Sequence, residues 1–241
     1  MCAAIVMGVS HQPGIGFAVA KRFALEGLKV GIVGRQRERL DNCAASIAAA
    51  CPGAVVRAME ADAGDQAAVS TALGALVEAH GAPEVLVYNC AARPFPSVNV
   101  AEAEPALYKT HLDASVFGLL HAAQAVLPGM RARGSGTIVV TGATASLRGS
   151  AGTSAFAVGK MALRGLAQSL AKEEAEHGIH VCHAVIDGMV DMPLINQFMP
   201  EVPEGRLIDT DAVAETYWGL HRQPKRCFTF EVDIRPHLAK W

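Results

Sequence analysis

Short apolar runs rich in Val and Ile alternate along the whole chain with longer segments whose apolar residues recur at helical spacing, and few folds accept that pattern. Residues 3–7 read as a first strand that ends at Gly8, and 17–26 as a helix stopped by Gly27. The series continues with strands over 29–33, 54–59, 84–88, 136–141, 179–186 and 226–232, and with helices over 37–50, 66–80, 107–130, 154–177 and 210–220. Parallel strands need crossover connections of about this length, and such crossovers are right-handed. The pattern therefore predicts a single α/β domain over residues 1–241, a doubly wound parallel sheet of seven strands with helices on both faces.

Composition agrees with a buried sheet and narrows the partners. A hydrophobic content of 51% supplies two covered sheet faces. A formal net charge of -2 with no basic cluster speaks against a nucleic-acid surface. No apolar stretch reaches membrane-spanning length, and residues 1–8 lack the basic flank and cleavage site of a secretory signal. A soluble, cytoplasmic protein with a small-molecule substrate is expected. The cysteines at 2, 43, 51, 90, 182 and 227 form no CxxC pair and are expected to be free, buried thiols. His177, His180 and His183 have the spacing of one helical face, but Gly178 breaks the helix, and on a strand His180 and His183 point to opposite faces. No metal site is expected.

In a doubly wound sheet, ligands bind beyond the carboxyl ends of the strands, where strand order reverses. The first strand runs into Gly8-Val9-Ser10-His11-Gln12-Pro13-Gly14-Ile15-Gly16 and then a helix. Such a turn brings backbone amides of the helix start close to a pyrophosphate, the Rossmann-type arrangement, so Gly8, Ser10, Gly14, Ile15 and Gly16 are candidate dinucleotide contacts. The second strand ends in Val33-Gly34-Arg35-Gln36-Arg37, without the acid that would accept from the free ribose hydroxyl of NAD. Arg35, together with Arg37, suits a 2′-phosphate instead and points to NADP(H); the alternative is a solvated helix start. Asp62 with Ala63 after the third strand, and Asn89-Cys90-Ala91 after the fourth, are candidates for the adenosine half. Each has a plain structural alternative, Asp62 as a cap near the next helix and Asn89 as a tie between strands.

Taken together, Gly8 to Gly16, Asn89-Cys90-Ala91, the helix ending Ala125-Val126-Leu127-Pro128-Gly129-Met130, and Asp187-Gly188-Met189-Val190-Asp191 resemble the short-chain dehydrogenase/reductase family over essentially the whole chain. The resemblance implies cofactor contacts at Gly188 and Val190. It also implies a homodimer or homotetramer assembled through the two long helices. The departures are specific. The glycine turn is two residues longer than the family's, Met192 stands where a threonine is common, and the Tyr-x-x-x-Lys pair reads Phe156-Ala157-Val158-Gly159-Lys160. The family's serine position falls on Ala143 and its asparagine position on Ser115.

In the family the tyrosine gives a proton to the substrate oxygen, while the lysine lowers its pKa and holds the nicotinamide ribose. Phenylalanine transfers no proton, and loss of a general acid removes about 10²–10⁴-fold in rate. Lys160 keeps the ribose role by resemblance, its alternative being an exposed helix lysine. Thr144 and Ser154 are the nearest substitute hydroxyls, and Ser154 is equally explained as a helix cap. Met192, Leu194, Ile195, Phe198 and Met199, within 189–206, suggest a short lid for an apolar substrate. The leading expectation is an NADPH-dependent reductase of a small or medium apolar carbonyl, enone or imine. A catalytically degenerate NADP(H)-binding regulatory protein, and a non-redox lyase or isomerase, are the competing readings.

Overall fold

The first apolar run, Ala3–Met7, forms strand β1 and is buried at every residue, as a strand covered on both faces requires. It is followed by α1 (Ile15–Leu25), β2 (Lys29–Gly34), α2 (Arg37–Ala50), β3 (Val56–Glu60), α3 (Gln66–His80) and β4 (Val85–Tyr88). The second half holds α4 (Pro105–Leu112), a π-turn at Asp113–Phe117, α5 (Gly118–Arg133), β5 (Gly136–Thr141), α6 (Ser154–Glu174) and β6 (Ile179–Ile186). Last come β7 (Met189–Val190), α7 (Pro193–Phe198), β8 (Leu207–Ile208), α8 (Thr210–His221) and β9 (Glu231–Ile234). The computed structural model describes residues 3–92, 97–199 and 201–239, with the backbone alone at 194, 196 and 198.

Seven strands form a parallel sheet in the order β3-β2-β1-β4-β5-β6-β9, and the fold is the single-domain Rossmann-type one that the alternation predicts. The chain winds outward from β1 to β3, then crosses back to lay β4 on the other side of β1. That reversal opens a crevice beyond the carboxyl ends of β1 and β4. One core fills the space under α1, α2 and α8 around Val19, Phe23, Ile32 and Tyr217, and a second packs α3, α5 and α6 around Leu73, Leu86, Leu119 and Leu163. Full burial of such side chains contributes about 1.5–3 kcal/mol each.

Three elements depart from the sequence expectation. The long helix over 107–130 is two helices joined by the π-turn. Its cause is Tyr88, whose hydroxyl donates to the Ala114 carbonyl at 2.5 Å and so occupies a helical acceptor. Gly118 makes this possible, because a Cβ there would lie 2.1 Å from the Tyr88 oxygen. The last strand starts at Glu231, since the preceding residues form a turn in which Gln223 bonds Thr229 and Phe228 stacks on His180 at 4.4 Å. The segment expected to be a lid contains β7 and α7, and β7 pairs with β8 just beyond it in a small ribbon.

Among the described residues the cysteines are free, but Cys227 is exposed and Cys90 half-buried, so the expectation of uniformly buried thiols fails there; Cys2 lies outside those residues. Of the described residues, no helix is long and apolar enough to cross a membrane, and no cluster of three metal-ligating side chains is found. His180 bonds the Leu220 and Thr229 carbonyls, whereas His183 turns to Glu231.

Candidate functional site

The glycine turn is shaped by contacts with the neighbouring strand. Gly8 has φ +87, and a Cβ there would meet the Asn89 carbonyl oxygen at 2.4 Å, so only glycine allows β1 to leave the sheet at this angle. Asn89 donates from Nδ2 to the Gly8 carbonyl at 3.1 Å, tying the ends of β1 and β4 together. Gly14 then caps α1 with no side-chain bond, and the first turn carries no acid. The amides of that turn have no acceptor within the helix and meet the crevice with the positive end of the helix dipole.

A cavity of about 900 Å³ runs along the carboxyl ends of the strands. Gly8, Ser10, Gly14, Ile15 and Gly16 form its floor beside α1. Arg35, Asp62 and Ala63 line one end, Asn89, Cys90 and Ala91 the middle, and Thr144, Lys160, Gly188 and Val190 the other end. Residues far apart in sequence are therefore brought to one cleft.

Three of the residues picked out from sequence stand elsewhere. Arg37 bonds Asp41 at 2.9 Å and the Ala58 carbonyl at 3.3 Å, outside the cavity lining, while Arg39 lines it. The side chains of Arg35 and Asp62 approach to only 4.0 Å and are 49% and 56% exposed, a weak pair that leaves the guanidinium open to a stronger anion. Ser115 is buried in the π-turn, and Ala114 takes the lining position. Ser154 is the first residue of α6 rather than its cap, and its hydroxyl is shared with Tyr108 at 2.7 Å. Thr153, one turn before Phe156 on the same face, lines the cavity in its place.

Thr144 does line the cavity, but its hydroxyl donates to Asp187 at 2.5 Å. The same carboxylate receives Arg235 at 3.3 Å and Arg148 at 3.8 Å. Thr144 thus turns a lone pair, not a proton, toward the cavity, which corrects its candidacy as proton donor. Arg39, Thr153 and Asp187 were not singled out from sequence. Thr153 was available from helical spacing alone, while the other two depend on tertiary placement.

Lys160 is 4% exposed, which removes the reading of an exposed helix lysine. Its Nζ donates to the Thr141 carbonyl at 2.8 Å and the Cys90 carbonyl at 3.4 Å. Burial pushes the Lys160 ammonium down to about 8. Phe156 precedes it by one turn on the cavity wall and meets His111 edge-on at 5.9 Å. Ala143 presents a methyl group to the same wall. Burial pushes the Cys90 thiol up to about 12, so it stays protonated and is no nucleophile.

Likeness to known proteins follows the same lines. A family model for short chain dehydrogenase matches residues 3–202. The 2-(R)-hydroxypropyl-CoM dehydrogenase of Xanthobacter autotrophicus is 34% identical over 204 residues, 84% of this chain and 80% of that protein. A short-chain dehydrogenase from Rhodopseudomonas palustris superposes with a TM-score of 0.80 at 35% identity, covering 97% of this chain and 99% of the other. A metagenomic short-chain oxidoreductase in complex with NADP superposes with a TM-score of 0.83 at 25% identity, covering 99% and 98%. A match that begins in β1 and extends past α7, on a sheet wound in this order around a glycine turn, admits one assignment: the chain belongs to the short-chain dehydrogenase family.

Proposed function

We propose that the protein is an NADPH-dependent reductase of a small apolar carbonyl, enone or imine that works without a tyrosine acid. The observation that carries this reading is that Lys160 and Phe156 face the same cavity as the α1 amides and Arg35. The donor set fits a phosphorylated dinucleotide. The first-turn amides of α1 suit the pyrophosphate, Arg35 and Arg39 a 2′-phosphate, and Asp62 the adenine amino group. Lys160 suits the hydroxyls of the nicotinamide ribose. The NADP complex of the metagenomic relative supports the same choice of cofactor. When bound, the reduced cofactor supplies a hydride equivalent to carbon.

The chain's own side chains then have to orient the substrate and exclude water. Met189, Met192 and Ile195 line the cavity and suit an apolar substrate held under the segment 189–206, which we read as a lid; the side chains of Leu194 and Phe198 lie outside the described residues. We read Phe156 and Ala143 as standing in the family's tyrosine and serine positions. A protonated imine needs no further acid, which suits it to such a site. The exposed apolar side chains of Phe117, Val158 and Met161 support assembly into a homodimer or homotetramer through α5 and α6.

The alternative, a protein that binds NADP(H) without turning it over, draws on the commitment of Thr144 to Asp187 and of Ser154 to Tyr108. One experiment separates the two. NADPH binding is followed by fluorescence, and its oxidation is followed against a panel of ketones, enones and imines. The reductase reading expects binding and turnover, with imines ahead of ketones, and expects Phe156→Tyr with Ala143→Ser to raise ketone turnover by about 10²–10⁴-fold. Binding with no turnover across the panel favours the regulatory reading.

A further inference from the structure

Among the described residues, the wall around Lys160 leaves one proton with no protein acceptor assigned to it. The ammonium has three, and the main-chain oxygens of Thr141 and Cys90 hold two of them at 2.8 and 3.4 Å. The residue lines the cavity shared by cofactor and substrate, so a third N–H is available to a ligand there. The hydroxyls nearest Phe156 are engaged, and Thr153, which lines the cavity, donates to the Ser150 carbonyl at 3.3 Å. Phe156 offers a ring and Ala143 a methyl, Thr144 gives its proton to Asp187, and Ser154 is paired with Tyr108 away from the lining.

Among the described residues, this ammonium has no anionic partner. The groups that face it are the Cys90 thiol after β4, His111 on α4 and His183 on β6. Burial and the Lys160 charge hold both histidines below their usual range and hence neutral, and burial keeps the thiol protonated. The carboxylate beside His183, Glu231, is already bound by Arg164 at 2.6 and 2.9 Å and by His183 at 2.9 Å. A buried cation bonded only to neutral oxygens gives up a proton more readily than one in a salt bridge.

We propose that Lys160 itself delivers the proton to the substrate heteroatom, a role that rests on the reductase reading above. The electrons balance with the nicotinamide dinucleotide as the reductant. As carbon gains its hydrogen, the carbonyl π pair moves onto oxygen, an Nζ–H bond of Lys160 breaks and an O–H bond forms. The lysine is left as a neutral amine, one remaining proton on the Thr141 carbonyl at 2.8 Å and the other, held by Cys90 only at 3.4 Å, shared with the nicotinamide ribose. It recovers its third proton from water when the alcohol leaves. The folded value of about 8 lies close to working pH, where a general acid is most effective.

The test compares wild type with Lys160→Arg, which keeps a positive ribose donor but cannot release a proton near neutral pH. NMR of the lysine side chains in the cofactor-free protein gives a readout independent of turnover. One lysine should titrate near 8 in wild type and be missing from the variant; titration of every lysine above pH 10 overturns the proposal. In the loaded enzyme, wild-type ketone reduction should be level below about pH 8 and fall about tenfold per unit above it, while reduction of a permanently charged N-methyl dihydroisoquinolinium stays level. Lys160→Arg should lower ketone turnover by about 10²–10⁴-fold more than it lowers iminium turnover, a ratio that any change in the ribose contact, common to both substrates, does not move. Equal losses on both substrates, or a flat ketone profile through pH 8, overturn it while the reductase reading stands. Failure of wild type to bind NADPH sinks both. Should the variant not fold, the wild-type titration and the two pH profiles still decide.

Discussion

Lys160 is the residue at which sequence and environment pull hardest against each other. A lysine on α6 would ordinarily reach water, yet this one is buried, with two main-chain carbonyls as its hydrogen-bond acceptors. Its folded value of about 8 lies below the ordinary 10.5, so between these pH values the unfolded chain binds a proton that the folded chain does not. Stability from this group therefore rises as pH climbs from about 8 to 10.5, and the full cost of burial is present below 8. Lys160→Met is expected to raise the unfolding free energy at pH 7 by about 1–3 kcal/mol, and to remove that rise with pH. Denaturant titrations at pH 7 and pH 10 check both; a variant less stable than wild type at pH 7 contradicts the account. At this scale the sequence was informative where a residue's neighbours are helical ones. Phe156 and Lys160 share a face as their spacing implies, and both line the cavity. It was blind to Thr144, because the carboxylate that takes its proton lies 43 residues away, at Asp187.

At the scale of elements, the alternating pattern located β1 to β6 of the main sheet, most cleanly β1, β4 and β6, which are buried throughout, and placed the last strand early, over 226–232 against Glu231–Ile234. The π-turn was hidden for a physical reason. The apolar spacing runs on from α4 into α5 as if the helix were continuous, and what interrupts it is a hydroxyl from β4, 26 residues earlier. The extra residue matters to the site, because it buries Ser115 and turns Ala114 to the cavity. Tyr88→Phe removes the bond to the Ala114 carbonyl and should cost about 1–3 kcal/mol, with faster hydrogen exchange confined to residues 112–118 as the sign that the turn itself has relaxed. A uniform change in exchange across the sheet would show instead that Tyr88 acts only through the core. The short β7–β8 ribbon was equally illegible. Two residues on each side give no pattern, and only the approach of Ile208 to the carboxyl end of the sheet creates it.

For the whole molecule, the topology gathers segments from the ends of six strands of the main sheet into one cleft, so the glycine turn at 8–16 and Lys160 line a common cavity. The outer surface carries its own expectation. Met161→Glu places a charge on the exposed apolar face of α6 and should shift a dimer or tetramer to smaller species in light scattering, with NADPH affinity unchanged; a wild-type monomer would contradict the proposed assembly. The central claim is the phosphate cradle made by the α1 amides and the arginines beyond β2. It is tested most directly by calorimetric titration of NADPH and NADH into wild type and Arg35→Ala. Wild type is expected to bind NADPH at least about tenfold more tightly than NADH, and Arg35→Ala to lose most of this difference, one charge-assisted contact being worth about 1.5–3 kcal/mol. Equal affinity of wild type for the two cofactors, or no heat from either, would contradict it.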